Sequence, residues 1–154
     1  MERKQPAGVL LVRVPSALCA LPLSEVIENM RPLPVSPLSE LPDFVLGVAV
    51  IRGTPTPVIE LEALFQANAH APARRFVTVR SGGRTVALAV DEVVGVSAVD
   101  RFELANLSPL LQNTRTDAIS AMGRLDAELV AMLEVAKVVP GSIWNFLDSV
   151  EAAP

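Results

Sequence analysis

Apolar residues occur in short runs along this chain, and proline or glycine interrupts most of them. Thirteen prolines, concentrated in the first half, exclude long helices there. Val- and Leu-rich runs over 7–14 and 18–23 flank Pro15 and Ser16 and predict a hairpin. A second hairpin is predicted over 75–80 and 84–90, because glycines 82 and 83 supply the positive φ of a tight turn.

Further β segments follow the same pattern. Residues 47–53 read as a buried β-branched strand and 57–61 as its return, with the turn at residues 54–56. Four more strands are predicted over 91–99, 118–125, 128–135 and 137–139. Residues 30–43 read as an extended connector with a turn within 41–46, 61–66 as one helical turn and 105–117 as a surface loop. About ten short strands predict an all-β fold of small closed or half-closed barrels.

One helix is predicted, at the C-terminal end of the chain. Ser142 is a suitable N-cap, and four apolar residues follow at i, i+3, i+4 and i+7 spacing, namely Ile143, Phe146, Leu147 and Val150. We expect this shared face to pack on the barrels.

Composition narrows the functional classes. The 154 residues are 51% hydrophobic and 19% charged, which fits one compact domain or two small lobes sharing an interior. A net charge of −4, few aromatics and no tyrosine argue against a nucleic-acid partner. The apolar runs are too short to cross a bilayer, and the N-terminus lacks signal-peptide features, so we expect a cytoplasmic protein without membrane insertion.

Few side chains suggest catalysis. The candidate acidic pairs are Glu60 with Glu62, Asp91 with Glu92, and Asp126 with Glu128. Glu60 and Glu62 could share one face of a strand, but a solvated strand end explains them equally well. An enzyme using the first or second pair stays open, and it requires a pocket where two carboxylates converge and one has a raised pKa.

The remaining reactive side chains have simpler interpretations. Cys19 lies in an apolar strand, where a thiol packs as a small hydrophobe, and His70 reads as a surface residue of a loop. One cysteine and one histidine are too few for an ordinary zinc site, and no phosphate-binding glycine motif is present, so no metal or cofactor is expected. An SH3-like domain for proline-rich peptides would need more aromatic residues.

Residues 42–61 read PDFVLGVAVIRGTPTPVIEL, which resembles the CheW-like domain of bacterial chemotaxis. The family pattern there is a glycine-led strand ending in N-[LI]-R-G, followed by a P-[VI]-[VI]-D-L return. LPL at 21–23, VIE at 26–28, VDEV at 90–93 and the strands within 129–139 agree in order. The resemblance implies two intertwined five-stranded SH3-like β-barrels with short helical turns and a C-terminal helix. The expected domain spans residues 7–150, with flexible termini over 1–6 and 151–154.

The resemblance also implies a non-catalytic adaptor. Family members couple the cytoplasmic tips of chemoreceptors to the regulatory domain of a CheA-type histidine kinase, with other CheW-like domains as further candidate partners. The alternative is a divergent accessory protein of a non-flagellar chemosensory system, which binds receptor without coupling the kinase.

Partner-binding residues follow from the matching positions. The resemblance places Leu23, Val26 and Glu28 at groove-lining and receptor-contact positions, and Arg52 with Gly53 in the N-[LI]-R-G turn. An arginine at a strand end offers a rigid donor fork, which Glu28 could orient. An intramolecular salt bridge is the simpler alternative.

Some residues depart from the family pattern or favour a plain core role. Asparagine is usual where Val50 stands and isoleucine where Asn29 stands, while an aromatic is usual at Cys19 and aspartate at Glu60. These exchanges affect partner choice more than fold. Four apolar residues of the motif are predicted to be core: Val48, Ile51, Val58 and Ile59.

Overall fold

The computed structural model describes residues 8–39, 41–66, 73–98, 103–104, 119–125, 128–134, 137–139 and 141–152. Within these ranges the chain forms β1 (Gly8–Val14), β2 (Ala17–Pro22), β3 (Val26–Met30), β4 (Val45–Ile51), β5 (Thr54–Glu60), β6 (Arg75–Ser81), β7 (Arg84–Val90), β8 (Glu92–Ala98), β9 (Glu103–Leu104), β10 (Ile119–Leu125), β11 (Glu128–Leu133) and the helix α1 (Gly141–Ala152). Two 3-10 turns, Leu23–Glu25 and Leu61–Leu64, follow β2 and β5. The helical turn predicted after residue 60 is therefore confirmed.

The strands form two sheets. The first has the order β8-β1-β2-β11-β10-β9, and the second has the order β3-β6-β7-β5-β4. The pairs β2 with β11 and β5 with β7 are parallel, and the other pairs are antiparallel. The prediction of an all-β fold with two five-stranded units is confirmed, with the two-residue β9 added to the first sheet.

Both predicted hairpins are present. β1 and β2 meet at the Val14–Ala17 pair around Pro15 and Ser16. β6 and β7 meet at the Ser81–Arg84 pair, and the two intervening glycines have φ of 55° and 82°. Two consecutive positive φ values match the twist of the flanking strands, so the Gly-Gly sequence was a reliable signal.

The turn predicted at residues 54–56 was wrong. Arg52 and Gly53 have φ of 50° and 77° and form a two-residue turn, and β5 begins directly afterwards at Thr54. Pro55 and Pro57 lie within β5, opposite Val50 and Val48. The Ile51–Thr54 pair that closes the turn is hydrogen-bonded, and hydrogen-bonded and non-hydrogen-bonded pairs alternate along the ladder from there. Both prolines therefore fall in non-hydrogen-bonded pairs, and their nitrogens face away from β4. The parallel contact with β7 begins only at Val58, so a strand tolerates both prolines here.

Three further elements differ from the sequence analysis: two strands that it did not predict and one predicted strand that is absent at residues 137–139. The sequence pattern did not predict β3 or β9, and residues 137–139 form a turn in place of a strand. The Lys137 N–H donates to the Glu134 carbonyl at 3.1 Å, a turn contact and not a bond to a neighbouring strand. Residues 105–117, predicted as a loop, lie outside the described residues.

The largest core cluster joins both sheets. It includes Val12 and Leu21 of the first sheet, Ile59 and Leu88 of the second, and Ile143 of α1. A second cluster, which includes Val58, Ile51 and Phe76, lies on the other face of the second sheet. A third, with Leu11 and Val130, lies on the other face of the first. Strands buried on both faces explain the continuous apolar runs of the sequence.

The core prediction for the glycine-led motif is confirmed for three of its four residues. Ile51, Val58 and Ile59 are buried. Val48 is only partly buried and packs against the largest cluster. The edge position of β4 leaves this side chain less covered than those of β5.

Helix α1 packs on the core through part of its predicted face. Ile143 and Leu147 are buried, and Trp144 is partly buried, but Phe146 is 46% exposed. At 3.6 residues per turn, Trp144 and Leu147 lie on one side of Ile143 and Phe146 on the other, so the buried face is rotated away from Phe146. The side chain of Val150 lies outside the described residues.

The start of α1 also differs from the prediction. The helix begins at Gly141, which places Ser142 in the first turn and not at the N-cap. Across the described ranges, no helix has both the length and the apolar character that crossing a membrane requires.

Candidate functional site

Glu28 and Arg52 meet at the surface of the second sheet. Glu28 lies in the edge strand β3, and Arg52 lies in the turn between β4 and β5. The guanidinium binds the carboxylate in a bidentate manner, with Arg52 Nε to Glu28 Oε1 at 3.0 Å and Arg52 Nη2 to Glu28 Oε2 at 2.9 Å. The Arg52 side chain is 77% exposed and that of Glu28 is 27% exposed. Most of the guanidinium surface therefore stays available to another molecule.

The backbone around this pair is unusually constrained. Arg52 is a non-glycine residue with φ of 50°, a conformation that costs a residue with a Cβ atom free energy. Gly53 follows with φ of 77°, which glycine adopts readily. On β3, the Glu28 N–H donates to Thr78 Oγ1 at 3.2 Å, and the hydroxyl donates back to the Glu28 carbonyl at 3.3 Å. The two charged residues are thus held by a tight turn and by a side-chain clamp.

The pair changes the titration of both groups. The hydrogen bond from Arg52 holds the pKa of the Glu28 carboxyl below its usual range, and the same bond raises the pKa of Arg52. Both groups are therefore charged near neutral pH. The structure bears out the intramolecular salt bridge and leaves the partner role of this pair as a prediction.

A small depression lies beside the pair. Its walls are Ile27, Ile51 and the Glu28–Arg52 pair, and four threonines complete it, namely Thr54, Thr56, Thr78 and Thr85. Its volume of about 140 Å³ is below the range of roughly 300 to 1,000 Å³ typical of small-molecule sites. The depression is therefore smaller than a typical small-molecule site.

A second depression adjoins the first and was missed at the level of sequence. Both are lined by Thr54 and Thr85. Arg84 here binds Asp148 of α1 with two hydrogen bonds of 2.9 and 2.8 Å and lies over the Trp144 ring, 4.8 Å from its centroid. The hydrogen bond from Arg84 lowers the pKa of Asp148. No local pattern links residues 64 positions apart, so only the packing of α1 reveals this contact.

Leu23 and Val26 are placed differently from the charged pair. Leu23 is 39% exposed in the 3-10 turn before β3 and lies against Gly8 of β1, where an added Cβ would stand 3.2 Å from Leu23 Cδ2. Val26 is the first residue of β3 and is partly buried against the largest core cluster. The structure brings Glu28, Arg52 and Gly53 together, and it leaves Leu23 and Val26 outside the depression beside them.

The acidic pair Glu60 and Glu62 does not form a solvated strand end. β5 ends at Glu60, Glu62 lies in the following 3-10 turn, and they are only 5% and 4% exposed. Ser16 donates to Glu62 through its N–H at 2.9 Å and through its hydroxyl. Burial raises the pKa of Glu60 to about 7, and the charges of Asp91 and Glu62 add to this effect. The raised pKa expected of an enzyme is present, but the carboxylates are buried.

The structure describes two of the other chemical candidates, Cys19 and Glu128. Cys19 is fully buried, and burial raises the pKa of its thiol, so its predicted packing role is confirmed. Glu128 pairs with Arg13 at 2.7 Å, while Asp126 and His70 lie outside the described residues. Among the side chains that the structure describes, no three His, Cys, Asp or Glu residues gather as ligands of a metal ion.

Known proteins resemble this chain in sequence and in fold. The chemotaxis protein CheW of Klebsiella aerogenes is 22% identical over 118 residues, which cover 75% of this chain and 71% of that protein. CheW of Helicobacter pylori is 22% identical over 122 residues, covering 78% and 73%. The scaffolding protein TtCheW of Thermoanaerobacter tengcongensis superposes with a TM-score of 0.71 at 19% identity, covering 88% of this chain and 98% of TtCheW.

The family assignment rests on a match across most of the sequence. The CheW-like domain family matches residues 8–141, a range that runs from β1 to the start of α1 and includes Glu28, Arg52 and Gly53. This protein therefore belongs to the CheW-like domain family.

Proposed function

We propose that this protein is a non-catalytic adaptor of the cytoplasm, which couples the cytoplasmic tip of a chemoreceptor to the regulatory domain of a CheA-type histidine kinase. Residues 7–150 form the adaptor domain, and other CheW-like domains are further partners. The family match over residues 8–141 supports an adaptor of the chemotaxis class.

The Glu28–Arg52 pair is the observation that carries the receptor contact. An exposed guanidinium stands on a turn whose φ of 50° is unfavourable for arginine, although glycine would fit there without strain. Strained residues cluster at ligand contacts because the surrounding structure holds them in a defined direction. Since the carboxylate fixes the fork by two bonds, the outer guanidinium edge is presented in one orientation.

The apolar part of the contact is assigned to Leu23 and Val26. Leu23 is exposed and Val26 is half-buried at the start of the edge strand β3. A receptor tip is helical, and a helix seats its apolar stripe against such side chains while polar contacts set its orientation. Arg52 and Glu28 supply the polar contacts, and Gly53 keeps the turn free of a side chain.

A charge-exchange experiment separates a partner contact from a purely internal salt bridge. Arg52→Ala weakens binding of a receptor-tip fragment, measured by calorimetry, and leaves the thermal midpoint within about 3 °C of the parent because exposed pairs contribute little to stability. The double variant Glu28→Arg with Arg52→Glu keeps an internal ion pair but exchanges the charges that the surface presents. The proposal predicts that it folds and still binds poorly.

The matched control exchanges a second bidentate pair, Arg13→Glu with Glu128→Arg. Arg13 Nη1 and Nη2 lie 2.7 and 3.4 Å from the Glu128 carboxylate oxygens, on the first sheet. This variant should bind the receptor fragment as the parent does. Full binding by the Glu28→Arg and Arg52→Glu double variant would contradict the proposed contact and leave the pair a structural salt bridge.

A further inference from the structure

Three acidic residues lie where the chain links the two sheets. Glu60 ends β5, Glu62 belongs to the 3-10 turn that follows, and Asp91 connects β7 of the second sheet to β8 of the first. Two of them make hydrogen bonds to the β1–β2 hairpin. Glu62 accepts from Ser16, and the Asp91 N–H donates to the Arg13 carbonyl at 3.0 Å. These contacts tie a turn of the first sheet to the second sheet.

Glu60 is the member of this group without a compensating bond. Its side chain is only 5% exposed, and among the described residues no hydrogen-bond donor reaches its carboxyl group. Its N–H donates to the Phe44 carbonyl at 2.7 Å, so the backbone at this position is held against the residue that precedes β4. A buried carboxylate without a donor is unfavourable in the charged form.

The charged groups around Glu60 strengthen this effect. Glu62 and Asp91 act on its pKa, and both are acidic; together with burial they raise the pKa of Glu60 to about 7. Arg13 of β1 directs its guanidinium to Glu128, and Arg74, whose N–H donates to the Val90 carbonyl, has an exposed side chain. Cys19 of β2 is uncharged, because burial and the charge of Glu62 raise the pKa of its thiol.

We propose that Glu60 is a pH-responsive contact between the two sheets. In its uncharged form it stays buried near the acidic residues Glu62 and Asp91. Its ionised form adds a negative charge to this acidic group and loosens the bonds to Ser16 and to the Arg13 carbonyl. The contact responds between pH 6 and pH 8 and stands independently of the proposed receptor and kinase partners.

Amide hydrogen exchange followed by NMR tests this contact. If local opening of this contact exposes Glu60 to water, the carboxyl group has its ordinary pKa of 4.5 in the open state. Opening then becomes more favourable as the pH rises. Protection of the Ser16 and Asp91 amides should therefore fall about tenfold between pH 6 and pH 8, after correction for intrinsic exchange. Ser36, whose N–H donates to the Val48 carbonyl at 2.8 Å away from this group, serves as the reference and should not change.

Two variants make the test specific. Glu60→Gln, which cannot ionise, should make protection at Ser16 and Asp91 independent of pH over this range. Glu92→Gln removes an exposed carboxylate of β8 and should behave as the parent does. A tenfold fall in protection that persists in Glu60→Gln would overturn the proposal. A fall of equal size at the Ser36 amide of the parent protein would also overturn it, because the pH would then act on the whole fold.

A direct titration keeps the proposal testable even where a variant folds poorly. The side-chain carboxyl carbon of Glu60 in the parent protein, followed by ¹³C NMR, should titrate with a midpoint near pH 7. A midpoint near 4.5 would overturn the proposal.

Discussion

Gly47 provides a quantitative test of how the connector before β4 is attached. Ser36 forms a bridge with Val48, through N–H to carbonyl bonds of 2.8 and 3.0 Å in both directions. A Cβ atom at position 47 would collide with the Ser36 carbonyl oxygen and stand 2.8 Å from its carbonyl carbon and 2.9 Å from Pro37 Cα. All three are backbone atoms, so Gly47→Ala must displace the connector and break both bonds.

The magnitude follows from two contributions. The φ of Gly47 is 144°, and placing alanine there costs about 1 to 3 kcal/mol. Loss of the two bonds adds about 1 kcal/mol each. Gly95 of β8 is a matched control, because its φ is 153° but an added Cβ meets nothing within 4 Å. Gly95→Ala therefore carries only the first cost, and the two variants should differ by about 2 kcal/mol.

Thermal unfolding measures this difference. For a domain of this size, 2 kcal/mol corresponds to about 4 to 8 °C, so Gly47→Ala should melt that much below Gly95→Ala. Urea unfolding should give the same order at an unchanged slope. Equal midpoints for the two variants would refute the argument that a close backbone approach, and not φ alone, requires glycine at position 47.

Other predictions concern pH and the C-terminal helix. Neutral Glu60 favours the folded state. Its contribution to the free energy of unfolding is therefore fully present below about pH 4.5 and is lost as the pH rises through about 7. Glu60→Gln should raise the free energy of unfolding by about 2 kcal/mol at pH 8, a value reduced for partial solvation of the carboxyl group, and should change it little at pH 4. Urea unfolding at both pH values measures this difference. Leu147→Ala should lower the free energy of unfolding by about 2 to 5 kcal/mol, because Leu147 is buried, whereas Phe146→Ala should change it by less than about 1 kcal/mol. Deleting residues 142–154 should expose apolar surface and increase binding of a hydrophobic dye; unchanged dye binding and midpoint would contradict the packing of α1.

Local sequence signals predicted much of the fold. The Gly82-Gly83 turn and the Val- and Leu-rich runs were sufficient for the hairpins, because turn geometry and strand burial act over a few residues. The strand pattern did not predict the Arg52–Gly53 turn, since Pro55 suggested a break and arginine rarely adopts positive φ. The family pattern, which has its turn at these two residues, carried the better information.

The site was predictable only in part. Glu28 and Arg52 were identified from the resemblance, and the structure adds their bidentate contact. Neither the burial of Glu60 nor the contact of Arg84 with Asp148 has a local signal, because both arise where segments distant in sequence pack together. Phe146 shows the same limit, since helical spacing identifies an apolar stripe but not the rotation at which the helix packs.

An adaptor that joins receptor and kinase through its own surface must bind both partners. Co-sedimentation of this 154-residue chain with a receptor-tip fragment and with the regulatory domain of the kinase from the same organism, separately and together at micromolar concentration, tests this. We expect binding to each partner and a ternary complex, and we expect Arg52→Ala to weaken binding of the receptor fragment. Binding to the receptor fragment alone would contradict the coupling of the kinase, and binding to neither would contradict the adaptor function.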